Sequence, residues 1–202
     1  MVRVKKTFSA LVLIGLLVAS AVSAQATPLL QDNFNGEHNG AGVLNYNNFQ
    51  NWTVTYGTVD LIGNGYFNFY PGNGLFVDLD GSTNNPGILT SKLEFVAGTY
   101  DLSFYLGGSK RGETNSVLVS FGTWSETFIL ASSDTLALIN RTVTISSDGN
   151  LSFANGGSDN MGAILDNVEV SAVPEPATML LFGTGIAGLA GITRRKKFPS
   201  KA

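Results

Sequence analysis

Gly98-Thr99-Tyr100-Asp101-Leu102-Ser103-Phe104-Tyr105-Leu106-Gly107-Gly108 sets the period of the whole chain. Tyr100, Leu102, Phe104 and Leu106 alternate with Asp101, Ser103, Tyr105 and Gly107. A period of two places the first set on one face of a strand and the second on the other. Working outward, Val117, Val119 and Phe121 alternate with Ser116, Leu118 and Ser120, and Glu126, Phe128 and Leu130 run in step. Val143 with Ile145, and Leu151 with Phe153, repeat the pattern, and Met161 to Val170 is strongly apolar. Thr, Val, Phe, Tyr and Ile fill these segments, as pleated half-buried surfaces favour. Turn clusters separate them: Gly63-Asn64-Gly65, Pro71-Gly72-Asn73-Gly74, Asp80-Gly81-Ser82, Asp148-Gly149-Asn150 and Asn155-Gly156-Gly157. No window of the body carries a helical stripe. Residues 27–172 therefore read as one all-β domain, a jelly-roll-type β-sandwich, with an up-and-down barrel as the rival topology.

Composition removes several kinds of chemistry. The chain has 202 residues, no Cys and one His. Disulfides, thiolate catalysis, Cys-zinc sites and any site needing two imidazoles are excluded. The body holds four basic residues, Lys92, Lys110, Arg111 and Arg141, against fourteen acidic ones. At a formal charge of about −10 it offers no basic face for a phosphate backbone, so nucleic acid is not a partner. Neither G-x-S-x-G, H-E-x-x-H nor a P-loop occurs, and His38 sits in a glycine-rich loop. Asn51-Trp52-Thr53, Asn140-Arg141-Thr142 and Asn150-Leu151-Ser152 match glycosylation sequons by coincidence.

Both ends differ from the body. Arg3, Lys5 and Lys6 precede the apolar run Ala10–Ala19, and Ala24-Gln25-Ala26 supplies a small-x-small exit. Residues 1–26 read as a secretory signal peptide, cut after Ala24 or Ala26, with an uncleaved anchor as the alternative. At the other end Pro174-Glu175-Pro176 stops any strand, since proline cannot donate to a ladder. Ala177–Ile192 then runs without a charge into Arg194, Arg195, Lys196 and Lys197, leaving 198–202 as a tail. As a transmembrane helix, 177–192 spans roughly 24 Å, and the basic cluster marks the cytoplasmic side of the inner membrane. This order of tripeptide, apolar helix and basic cluster over 173–197 resembles the PEP-CTERM sorting signal of Gram-negative bacteria. The resemblance implies recognition by a membrane exosortase, with Pro174, Glu175 and Pro176 as processing signal. It also implies transient anchoring facing the periplasm, then release to the cell surface or extracellular matrix.

Short stretches of the body resemble exported jelly rolls of the galactose-binding-like and carbohydrate-binding-module kind. They are Gln31-Asp32-Asn33-Phe34-Asn35-Gly36, Trp52, Gly98–Phe104 and Leu165-Asp166-Asn167-Val168-Glu169-Val170. The resemblance implies a structural calcium where first and last strands meet. Asp166 shares parity with Ile164, Val168 and Val170, so it is expected to face inward and to need a partner. Calcium takes oxygen ligands, which makes Asp32, Asn35 and Asp166 its candidate set. The alternative is that Asp166 accepts turn amides from the first loop without a metal. Asp78-Leu79-Asp80-Gly81-Ser82 looks like a calcium loop but has Leu89 at position twelve, and reads as a polar loop between strands.

Ligand contacts are expected from Tyr66 and Tyr70, placed with Asn68 on one exposed stripe, and from Arg111, whose planar fork suits a sugar. A solvated loop tip is the plainer reading of Lys110-Arg111, and Trp52 and Phe69 are assigned to the core. The function expected is a noncatalytic surface or matrix protein that binds extracellular polysaccharide. A purely structural biofilm protein and, least favoured, a glycan hydrolase are the alternatives.

Overall fold

The computed structural model describes residues 27–173, and the signal-peptide and C-terminal helix expectations lie outside them. Eleven strands are found there: β1 Pro28–Asp32, β2 Trp52–Thr55, β3 Asp60–Gly63, β4 Leu75–Asp78, β5 Ile88–Ser91, β6 Gly98–Gly107, β7 Thr114–Phe121, β8 Trp124–Ala131, β9 Ala137–Ile145, β10 Leu151–Gly156 and β11 Ile164–Ala172. They form two antiparallel sheets. One runs β3-β4-β11-β6-β9 with β1 also on β11, and the other runs β2-β5-β10-β7-β8. Most neighbours in each sheet are distant in sequence, which excludes the up-and-down barrel. The architecture is a β-sandwich.

The inner faces follow the period-two reading. Tyr100, Leu102, Phe104 and Leu106 of β6 are buried, as are Val117, Val119 and Phe121 of β7, and they join one core with Val143, Ile145, Leu151 and Phe153. Phe104 packs edge-on against Phe153 at 5.2 Å, and Phe153 against Trp52 at 5.9 Å, so rings bridge the two sheets. Trp52 is fully buried, as assigned. Its indole Nε1–H donates to Asp32 Oδ2 at 2.9 Å, which ties the start of β2 to the end of β1. A buried indole needs such an acceptor, and Asp32 is fixed in turn by Phe34 N–H and Asn51 Nδ2.

One strand departs from simple alternation. Asn167 has φ +47°, and the β11–β6 register shifts between Asp166 and Glu169. This bulge adds a residue, so the expectation that Ile164, Asp166, Val168 and Val170 share a face is corrected. Val168 and Val170 enter the main core with Leu165. Ile164 instead joins Ile62, Tyr70 and Phe76 in a second, smaller core. The 64–74 loop supplies Tyr70 to that cluster, and Phe69 packs against it. That loop and the end of β4 position the candidate site.

Candidate functional site

Two concavities are relevant among the described residues. The larger, about 430 Å³, lies between β1, the loop before β2 and the β11 bulge, and includes Gln31, Glu37, Gln50, Asn51 and Glu169. Its polar groups largely engage one another. Glu37 accepts from Gln50 N–H at 2.8 Å and from the Tyr46 hydroxyl at 3.3 Å, and Gln31 Nε2 donates to Glu169. It presents no aromatic face. The smaller recess, about 240 Å³, is lined by Leu44, Asp60, Ile62, Phe67, Phe69, Asp78, Ser82, Arg111 and Asn160. It combines ring faces with a guanidinium and carboxylates, the mixture that orients a polar ligand on an apolar floor.

The rings come from the 64–74 loop. Tyr66 and Phe67 are exposed, Phe67 at 56%. Their rings lie 5.0 Å apart edge-to-face, and Phe67 and Phe69 are 6.3 Å apart at 31°. Phe67 has φ +47°. A bulky residue rarely adopts that left-handed conformation, and such strain concentrates at functional sites. Arg111 Cζ lies 5.5 Å from the Phe69 centroid. Its guanidinium pairs with Asp78 and donates to Asn160 O at 2.5 Å. Arg111 is thus a half-buried, ion-paired group at the recess, which corrects the solvated-tip reading. Tyr70 is also corrected. It is buried, with no exposed Tyr-Asn-Tyr stripe, because residues 66–70 are loop and not strand. Its hydroxyl donates to Gly108 O at 2.8 Å and Asp134 O at 2.9 Å, and burial, with the nearby Asp134 charge, pushes its pKa up to about 12. Lys110 lies over that ring and binds the carbonyls of Ser133 and Asp134.

Carboxylates dominate the other wall. Asp60 accepts from Asn45 N–H and from both the N–H and hydroxyl of Ser82. Asp78 accepts from Asp80 N–H at 3.1 Å and Gly162 N–H at 3.0 Å. Burial holds Asp78 well above the usual carboxylate range, and Arg111 works against that rise. Asp80 is fully buried, and neither of its oxygens has a hydrogen-bond partner. Burial, then the Asp159 charge, push it up to about 7, with Arg111 opposing and Asp60 and Glu113 adding. Asp80 is therefore no part of an exposed loop. The short β4 carries its chain inward, beneath the 157–163 segment.

The expected calcium set behaves differently. Asp166 is fully buried at the bulge, where its Oδ1 accepts Asn167 N–H at 2.7 Å and its Oδ2 accepts Asn167 Nδ2 at 3.1 Å. Burial pushes it up to about 7, the Asn167 N–H opposes, and Asp32 adds. Asn35 Oδ1 accepts Leu75 N–H at 2.7 Å. Every oxygen of Asp32 and Asp166, and the Asn35 amide oxygen, already accepts an N–H. Asp166 is satisfied by its own neighbour and not by the first loop.

Of the recess residues, the sequence pointed to Arg111, and Tyr66, another candidate, stands outside the lining against Phe67. Sequence reasoning missed Phe67 and Asn160 and assigned Phe69 to the core. Four aromatics within five residues, bounded by Gly63-Asn64-Gly65 and Pro71-Gly72, were the available signal. So many rings on a turn-rich loop cannot all turn inward.

Comparison with solved structures bears on the fold. The K3 adhesin domain of Lys-gingipain from Porphyromonas gingivalis W83 is 15% identical with a TM-score of 0.53, covering 74% of this chain and all of that domain. The CBM22-1 xylan-binding domain of Xyn10C from Paenibacillus barcinonensis is 14% identical with a TM-score of 0.48, covering 77% of this chain and all of that domain. No curated protein sequence matches the chain. Residues 172–197 do match a family model, beginning one residue before the boundary read from the sequence and overlapping the last residue of β11. Beyond its β-sandwich, the chain carries a PEP-CTERM protein-sorting motif.

Proposed function

We propose that this is an exported, noncatalytic carbohydrate-binding protein whose recess docks a polysaccharide. The carrying observation is the exposed rings of Tyr66 and Phe67 beside the half-buried Phe69, with Arg111 and Asn160 at their edge. The C–H face of a pyranose packs on aromatic rings, while its hydroxyls seek charged and amide groups. Exposed rings beside anchored polar groups suit that pairing and lose little side-chain entropy on binding. Phe67→Ala is expected to weaken retention in polysaccharide affinity gels at least tenfold without lowering the melting temperature. Unchanged retention of the variant on every polysaccharide that holds the parent protein would overturn the reading.

The sorting motif supports export, exosortase processing at Pro174-Glu175-Pro176 and transient anchoring of the 177–192 helix in the inner membrane, with Arg194, Arg195, Lys196 and Lys197 on the cytoplasmic side. The mature product then reaches the cell surface or matrix. Intact mass of the released protein is expected to correspond to a chain ending near Val173–Pro176. A released chain that still carries Lys201 would refute processing.

A further inference from the structure

Asp80 is buried, charged by composition and bare. Native proteins supply a partner to such a group, because neither solvent nor protein otherwise offsets its desolvation. The 155–163 segment is seated directly on it. Leu79 N–H donates to Ala163 O at 3.0 Å, and a Cβ on Gly162 would fall 2.2 Å from Asp80 N. A Cβ on Gly157 would stand 3.6 Å from Asp80 Oδ2. Gly156, the last residue of β10, pairs with Ser116 of β7, and Asn115 precedes Ser116 on that strand. Asn115 is buried as well, and its Oδ1 has no partner, while its Nδ2 donates to Met161 O at 2.5 Å. Two buried side chains thus present unpartnered oxygens at one seam.

The charge around that seam is mostly negative. Asp60, Glu113 and Asp159 act on Asp80 as negative neighbours, and Arg111 is the one positive group set against them. The cation at hand, Arg111, gives its terminal nitrogens to Asp78 and Asn160 O while its Nε has no partner, and Lys110 is turned to Ser133 and Asp134. We infer that Asp80, Asn115 and Asp159 hold a calcium ion that staples the 157–163 segment to the end of β4. The donors are all oxygens. Among the described residues no three His, Cys, Asp or Glu side chains converge on one point, so amide and peptide oxygens must complete the shell. Calcium accepts six to eight such ligands in flexible geometry, whereas magnesium requires a near-ideal octahedron and zinc favours nitrogen and sulfur. The assignment stands apart from the glycan reading and does not depend on it.

The full-length chain, purified in detergent and stripped with chelator, is titrated with calcium chloride by calorimetry and by thermal melting. One calcium per chain and a rise in melting temperature of at least 5 °C at saturation are expected. Asp80→Asn removes both responses, and its chelated form melts no lower than the chelated parent. Asp159→Asn, at a half-buried position, weakens calcium binding at least tenfold and provides an independent readout. Absent binding, binding intact in Asp80→Asn and Asp159→Asn, or binding lost in Asp32→Asn instead would overturn the assignment. An equal response to magnesium would overturn the choice of ion.

Discussion

Arg111→Met is expected to cost the sandwich about 3–5 kcal/mol of unfolding free energy at pH 7, read from urea denaturation. Asp78 is 1% exposed, and Arg111 is its ion-pair partner. Without the guanidinium, two backbone N–H groups, from Asp80 and Gly162, are left to support a buried charge. The carboxyl then takes up a proton or drags the 157–163 segment open, and either outcome is unfavourable. The double variant Arg111→Met/Asp78→Asn should recover more than half of the loss, because it removes the orphaned charge along with its partner. The Arg141–Glu126 pair is the internal comparison. It is bidentate, at 2.6 and 2.7 Å, but both side chains are more than a third exposed. Solvent screens it, so Arg141→Met should cost no more than about 1 kcal/mol. If the two substitutions cost the same, burial is not what gives the Arg111 pair its weight.

Stability is expected to fall as pH rises from about 4 to about 7, by up to about 4 kcal/mol from Asp166 alone. Burial raises this carboxyl to about 7 in the folded chain, from its ordinary 3.8. Between those two values the folded state holds a proton that the unfolded state has released. The folded state therefore binds more protons there, and unfolding free energy declines with pH until the folded carboxyl has also ionised. Above about pH 7 the contribution is lost and the curve is flat in this group. Asp166→Asn removes the titration, so its stability should gain on the parent's as pH climbs and level off above pH 7. For a domain of this size the gap corresponds to roughly 10 °C in melting temperature. Parallel curves from pH 4.5 to 8 would show that Asp166 keeps an ordinary carboxylate pKa in the fold.

The bulge that buries Asp166 also shows where sequence reading stops. Parity along Ile164–Val170 assigned one face to four residues, and with Asn167 left-handed Val168 and Val170 enter the main core, Ile164 the smaller one, and Asp166 neither. Asn tolerates that conformation, but nothing in Leu165-Asp166-Asn167-Val168 says that the ladder must take it. Tyr70 fell to the same limit. Its alternation with Tyr66 and Asn68 looked like a strand, whereas the segment is a loop whose register has no period. In β6 and β7, by contrast, each residue's face depends on its immediate neighbours, and alternation survived into the buried set without correction.

Thus the sequence alone determined the all-β class, the inward faces of the long strands, the lack of thiol and paired-imidazole chemistry, and the linear sorting motif at residues 172–197. Each is local or compositional, and so is written in consecutive residues. Tertiary structure decided that Asp78 meets Arg111, that Asp80 lies bare under the 157–163 segment, and that Phe69 of one loop stands beside a guanidinium from another. Those meetings depend on β4 lying beside β11, and on β7 lying beside β10 in the opposing sheet. Strand order is set by how whole faces bury against one another, and no local period encodes it.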